Sequence, residues 1–273
     1  MGILQLRNGI FAAGILLVLS VSPLRAADLS SSLPVNNIKR TAYVWTGFYL
    51  GGNVGGNITS NFNADTWPAT TFSFHDNNSG QIAATLPMGM GGLEGGLQAG
   101  YNWQRGAFVV GGEWDIEALK AGGGATMPAS GGTLLGSTLS TSASEQLDWL
   151  STIRLRLGYT PFDRWLVYAT GGLAFGGVEN TSGVVINNNA AYQWSASNTP
   201  VKIGYALGSG VEWALTDNIS LRFEAYYYNI GSTVFTATGN AAVMANSSLS
   251  GYQYTAKTTT AGDIVRIGAD YKF

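Results

Sequence analysis

Glu113, Asp115 and Glu117 place three carboxylates at alternate positions. On a strand, residues two apart project from one face, where such a set could gather a hard cation or act as a general acid and base. Arginines with the same spacing (Arg154 and Arg156), together with Arg222 and Arg266 on other segments, favour ion pairs instead. His75 is the single histidine, so a His-dependent nucleophile or a multi-His metal set has nothing to draw on. In the segment 72–78 it reads as a solvated loop residue. Gly91–Gly100 and Gly204–Gly210 look superficially like phosphate-binding loops, but no helical pattern follows either and no GK[ST] occurs. The absence of cysteine removes disulfides, thiolate zinc sites and CxxC redox chemistry. No catalytic residue, metal or cofactor is expected; the charged residues read as structure.

The elements that must hold those charges are unusual for water. Only 11% of the 273 residues are charged, where about 25% is usual, while glycine contributes 38 residues and aromatics 12%. The formal charge of −2 excludes a broad basic surface for nucleic acid. Residues 1–26 read as a cleaved secretory signal: Arg7, an apolar run over 10–21, then Ser22-Pro23 and a small-residue site at Ala26. Residues 27–44 follow as a periplasmic extension, and 45–273 as one barrel domain. Losing Arg7 and Arg25 makes the mature chain more acidic.

Alternation at period 2 then dominates. In 151–159, Ile153, Leu155, Leu157 and Tyr159 oppose Thr152, Arg154, Arg156 and Gly158. Eight such runs lie near 46–57, 93–104, 107–118, 147–160, 165–178, 202–215, 219–231 and 262–273. Tight turns (105–106, 161–164, 216–218) alternate with long polar connections (58–92, 119–146, 179–201, 232–261). Such asymmetry, with an even strand number, predicts an all-β, eight-stranded antiparallel transmembrane barrel with short periplasmic turns. Glycine pairs inside the strands, such as Gly95-Gly96, suit tight curvature.

Charge placement sets the inside. One face carries Glu94, Glu113, Asp115 and Glu117, then Arg154, Arg156, Lys202 and Glu212, then Arg222, Glu224, Arg266, Asp270 and Lys272. The opposite face is nearly free of charge. An eight-stranded barrel is just wide enough for side chains to fill, so these residues predict an internal ionic plug. Aromatics gather at two levels. Phe48, Tyr101, Trp103, Tyr159, Trp165 and Trp213 lie beside the short turns, and Trp149 lies toward the long connections with Trp114 and Tyr205. Trp149 to Tyr159 covers about ten residues, or roughly 25 Å of tilted strand, the height of an outer-membrane apolar band.

Two motifs carry a resemblance. Ala27-Asp28-Leu29 followed by Trp45–Gly51 (WTGFYLG), and Arg266, Gly268, Tyr271 and Phe273 at the C-terminus, resemble the alphaproteobacterial outer-membrane barrels. That family comprises major surface antigens and porin-like proteins related to OmpA-type and opacity-type barrels. The resemblance implies a bacterial outer-membrane location and a structural or surface-antigen role in the envelope. Its C-terminal residues would form the signal read by the outer-membrane assembly machinery, with periplasmic chaperones and outer-membrane lipid as further partners. A narrow porin-like channel is the alternative function; an adhesin or ligand-binding protein contacting a host surface through its long loops is the second.

Overall fold

The computed structural model describes residues 43–69, 81–131, 133–187 and 189–273. The expected signal segment, most of the extension and His75 lie outside them. Nine strand segments form the body: β1 (Gly47–Pro68), β2 (Thr85–Arg105), β3 (Phe108–Pro128), β4 (Leu139–Phe162), β5 (Trp165–Ile186), β6 (Asn189–Asn198), β7 (Val201–Ala214), β8 (Ile219–Gly239) and β9 (Tyr254–Lys272), with a one-turn helix α1 (Ala241–Ala245) before β9. All pairing is antiparallel. The ring runs β1-β2-β3-β4-β5-β7-β8-β9 and closes where β1 meets β9, with Leu50 opposite Tyr271. Closure leaves no sheet edge to be satisfied in lipid.

Nine segments still make an eight-stranded ring, because β6 and β7 are one strand interrupted. Gly177 pairs with Val201 and Asn180 with Asn198, so the register along β5 does not change across the break. At the break stands Pro200, which has no N–H to give a ladder; only its carbonyl is used, by Val178 N at 3.2 Å.

The strands are longer than the sequence pattern predicts, and this corrects the reading of the long connections. β4 has 24 residues and β5 22, and most of 119–146 and 179–201 is hairpin. Alternation there persists in small polar residues, as in Thr141–Ala143–Glu145 inward against Ser142 and Ser144 outward, so an apolar period gives no sign of it. Leu139 lies ten residues beyond Trp149, which at strand rise and tilt places the hairpins roughly 25 Å past the outer aromatic level.

The wall is not uniformly fastened. The β7–β8 ladder ends at Tyr205 opposite Asn229, and β8 next meets this strand only at Ser195 opposite Thr238. At the departure point β8 carries Gly231, in the left-handed region at φ +83°, and its ladder with β9 slips one register between Asn229 and Ser232.

Candidate functional site in the barrel lumen

Inward positions are buried and outward positions bare, the inverse of a soluble core. Leu93, Leu97, Leu155 and Ile203 are 81%, 61%, 69% and 65% exposed, whereas Arg154, Arg156 and Arg266 are each 1% exposed. Five of the expected girdle residues beside the short turns (Phe48, Tyr101, Trp103, Tyr159 and Trp165) are exposed outward, as is Trp213. Trp165 stacks on Trp213 at 6.0 Å between ring centres. Trp149, on the far level, is half-buried, because a register shift between Leu147 and Trp149 turns both Leu147 and Leu150 inward.

The middle of the lumen holds one network. Glu113 on β3 is its centre: Oε1 accepts from Arg154 Nη2 at 2.9 Å, and Oε2 accepts from Arg222 Nη1 and the Tyr49 hydroxyl, both at 2.6 Å. Asp115 Oδ2 accepts from Arg154 at 2.6 Å and from Arg266 at 3.0 Å, while its Oδ1 takes the Thr152 hydroxyl at 2.8 Å. Glu224 Oε1 is shared by Arg154 and Arg266 at 2.6 and 2.8 Å, and Oε2 accepts from the Tyr168 hydroxyl at 2.6 Å. Toward the periplasm Arg156 reaches Glu212 at 2.7 Å, and Arg222 Nε reaches Asp270 at 2.7 Å. Toward the outside Arg266 Nη1 donates to Glu117. Arg156 also lies 3.9 Å over the Tyr168 ring. Arg154, Arg156, Arg222 and Arg266 thus each answer two or more carboxylates from different strands, tying the walls together.

Inward glycines make the space. A Cβ at Gly100 would stand 2.5 Å from Tyr49 Cζ, and one at Gly210 2.5 Å from Tyr168 Cζ. Close approach, in addition to curvature, therefore requires these glycines.

Three expected members stand apart. Lys202 is buried but donates to Thr260 Oγ1 at 2.8 Å, well outside the network. Glu94 is buried, and among the described residues neither of its carboxylate oxygens has a hydrogen-bond partner. Lys272 is half-exposed at the rim; its Nζ donates to the Val44 carbonyl and sits 4.1 Å over the Tyr43 ring.

Apolar layers lie on both sides of the network. Below it, Tyr43 and Trp45 turn into the periplasmic mouth, 8% and 2% exposed, and meet edge to face at 4.8 Å against Val109, Leu166 and Ala214. Tyr43 N donates to Asp163 Oδ1 at 2.9 Å and Trp45 N to Gln104 Oε1 at 2.7 Å. Burial, and then the Glu212 charge, push the Tyr43 hydroxyl up to about 12. This cork was hidden from the alternation pattern, because residues 43–46 precede the first strand. Above the network, Leu119, Leu150, Val178, Tyr228 and Ile264 form a second layer. Beyond the membrane, Trp194, Phe235, Val243 and Tyr254 build a third; Trp194 Nε1 donates to the Tyr252 carbonyl at 2.8 Å. In the same outer region, burial raises Glu145 above the usual carboxylate range.

Residues 14–273 match the family model for the outer membrane protein beta-barrel domain. The chain belongs to that family. It is 32% identical to the 31 kDa outer-membrane immunogenic protein of Brucella melitensis over 235 residues, 85% of each chain. It is 28% identical to the 22 kDa outer membrane protein of Rhizobium leguminosarum bv. viciae over 183 residues, 67% of this chain and 63% of that one. The crystal structure of the outer membrane protein OprG from Pseudomonas aeruginosa aligns over 85% of this chain and 98% of its own, at 14% identity and a TM-score of 0.47.

This outer-membrane barrel gives its C-terminal residues structural work of their own. Arg266 belongs to the lumen network. A Cβ at Gly268 would stand 2.9 Å from the Gly52 carbonyl and 3.2 Å from Arg222 Cγ. Tyr271 and Phe273 face outward, 5.1 Å apart, and Phe273 N closes the ring on the Phe48 carbonyl at 3.0 Å.

Proposed function

We propose that this outer-membrane barrel is a closed, non-catalytic envelope protein that displays its hairpins as a surface antigen. The observation that carries the reading is the lumen: an arginine–carboxylate network at 0–4% side-chain exposure, stacked between apolar layers. A hydrated ion crossing it would have to break several buried charge-assisted bonds at once, each stronger than a neutral hydrogen bond. The same packing weighs against the narrow porin. Hairpins reaching well past the aromatic girdle support contact with host or antibody, and the name of the Brucella relative supports the antigen role. Outer-membrane lipid, the assembly machinery and periplasmic chaperones are the partners this reading assigns.

Two measurements test it. In planar bilayers the refolded protein should be electrically silent; reproducible unitary steps would overturn the closed lumen. On intact cells, antibody raised against the hairpin tips should bind; binding only after permeabilisation would overturn surface display.

A further inference from the structure

The network leaves a charge imbalance. Arg154, Arg156, Arg222 and Arg266 face seven carboxylates in the same stretch of lumen, the six bonded ones and Glu94, each at most 5% exposed. The formal excess of three negative charges is held away from water, where an uncompensated charge is costly. Compensation needs a place, and the unsatisfied atoms mark one.

Glu94 Oε1 and Oε2, Glu117 Oε2 and Asn53 Oδ1 have no hydrogen-bond partner among the described residues. Strand register sets their three residues at neighbouring positions of one inward face. Gly96 pairs with Asn53 on one side and Glu117 on the other, and Glu94 follows two residues along the same face of β2. Gly96 has no side chain to fill the space over its backbone, and the Glu117 carboxyl occupies it: its Cδ is 2.5 Å from where a Cβ would stand. Asn53, 6% exposed, donates through Nδ2 to Glu117 Oε1 at 3.0 Å and to Gln98 Oε1 at 2.7 Å, so its amide is fixed beside the pair with the carbonyl oxygen left over. Arg266 claims the other oxygen of Glu117 and leaves Oε2 to the patch. The Tyr226 hydroxyl is likewise buried without a hydrogen-bond partner among the described residues.

We propose that Glu94, Glu117 and Asn53 form an internal binding site for one hard divalent cation on the outer shoulder of the arginine network. The ligand set is all oxygen, with two carboxylates and one amide carbonyl, which suits calcium or magnesium and offers nothing to a soft metal. Glu94 has both oxygens free for bidentate ligation, a habit of calcium, and water would complete the shell. A divalent ion offsets two of the three excess charges and ties β1, β2 and β3 together at the height where the apolar layer begins.

The inference goes beyond the closed-barrel reading and is tested apart from it. Protein purified in detergent, freed of lipopolysaccharide and stripped of metal with a chelator, is titrated calorimetrically with calcium and with magnesium at pH 7.5. The urea midpoint of the heat-modifiable folded form is followed in parallel. One saturable site per chain is expected, with the midpoint rising as it fills. Glu94→Gln and Glu117→Gln should each weaken binding at least tenfold, and Asn53→Asp, which adds a carboxylate, should tighten it. No saturable heat with either cation up to about 10 mM, beyond the range of weak oxygen sites, overturns the proposal. So does binding unchanged in Glu94→Gln. Should the glutamine variants not fold, an Asn53→Asp protein that binds no more tightly than the parent overturns it. Bilayer conductance does not enter this readout, so a conducting barrel with a filled site would fail the function reading and not this one.

Discussion

Replacing Glu113 by glutamine removes the one carboxylate that Arg154, Arg222 and the Tyr49 hydroxyl all address. The shape of the side chain is kept, while the charge is removed and one acceptor oxygen becomes an amide donor. Arg154 retains Asp115 and Glu224, and Arg222 retains Asp270, so neither guanidinium is fully orphaned. Of three short bonds to the carboxylate, at 2.9, 2.6 and 2.6 Å, the remaining amide oxygen keeps the equivalent of one, so the net loss is about two charge-assisted hydrogen bonds, with a longer Arg156 contact at 3.4 Å besides. At about 1.5–3 kcal/mol each this comes to roughly 3–6 kcal/mol, which agrees with the ~3–5 kcal/mol typical of breaking a buried ion pair from one side. The matched control is Asp217→Asn, which breaks the Arg164–Asp217 pair at 2.7 Å, where the aspartate is 83% exposed. That pair is worth only about 0–1 kcal/mol. Urea unfolding in detergent micelles, followed by tryptophan fluorescence and by mobility of unboiled samples, measures both. Equal destabilisation by the two variants, or a Glu113→Gln effect below about 1 kcal/mol, would refute the view that the plug holds the walls together.

Trp45→Ala should cost about 3–5 kcal/mol by emptying the periplasmic mouth, yet leave bilayers silent because the ionic layer above still closes the lumen. Leu97→Arg, on the lipid face at 61% exposure, should cost about 2–4 kcal/mol in lipid vesicles if it sits near the midplane; a neutral result would place Leu97 outside the apolar band. The cork should also respond to alkali. Tyr43 is raised in the folded protein from 10.0 to about 12, so its contribution is intact below pH 10 and is lost as pH climbs through about 12. A drop in Trp45 burial over that window, absent in Tyr43→Phe, is the expected fluorescence signature.

Arg154, Arg156 and their neighbours could be placed from sequence because period 2 and the near absence of charge on the other face leave only one way round in lipid. The hairpins above the membrane were not legible in the same way. Ser140, Ser142 and Ser144 alternate with buried residues, but a strand made of small polar side chains has no hydropathy signal, so 119–146 reads as loop. The β6–β7 strand was blurred by Pro200. The cork leaves no mark on the alternation, because Tyr43 and Trp45 precede β1. Glu94 and Lys202 carry the right charge on the right face; which partner each finds depends on height along a tilted strand, and tilt is fixed by closure of the whole ring. Lys272 shares their parity but lies at the rim, where Tyr43 competes for it.

The parting of β8 from β6 and β7 divides the cylinder into two mechanical regimes. Below Tyr205 and Asn229 each strand is stitched on both flanks and bolted through the lumen by guanidinium groups. Above them one flank of β8 hangs free from Ile230 to Ala237. The β1–β9 ladder is likewise interrupted between Ile58 and Asp65, so the exterior stem is held by fewer main-chain bonds than the part sealed into lipid and is where local opening costs least.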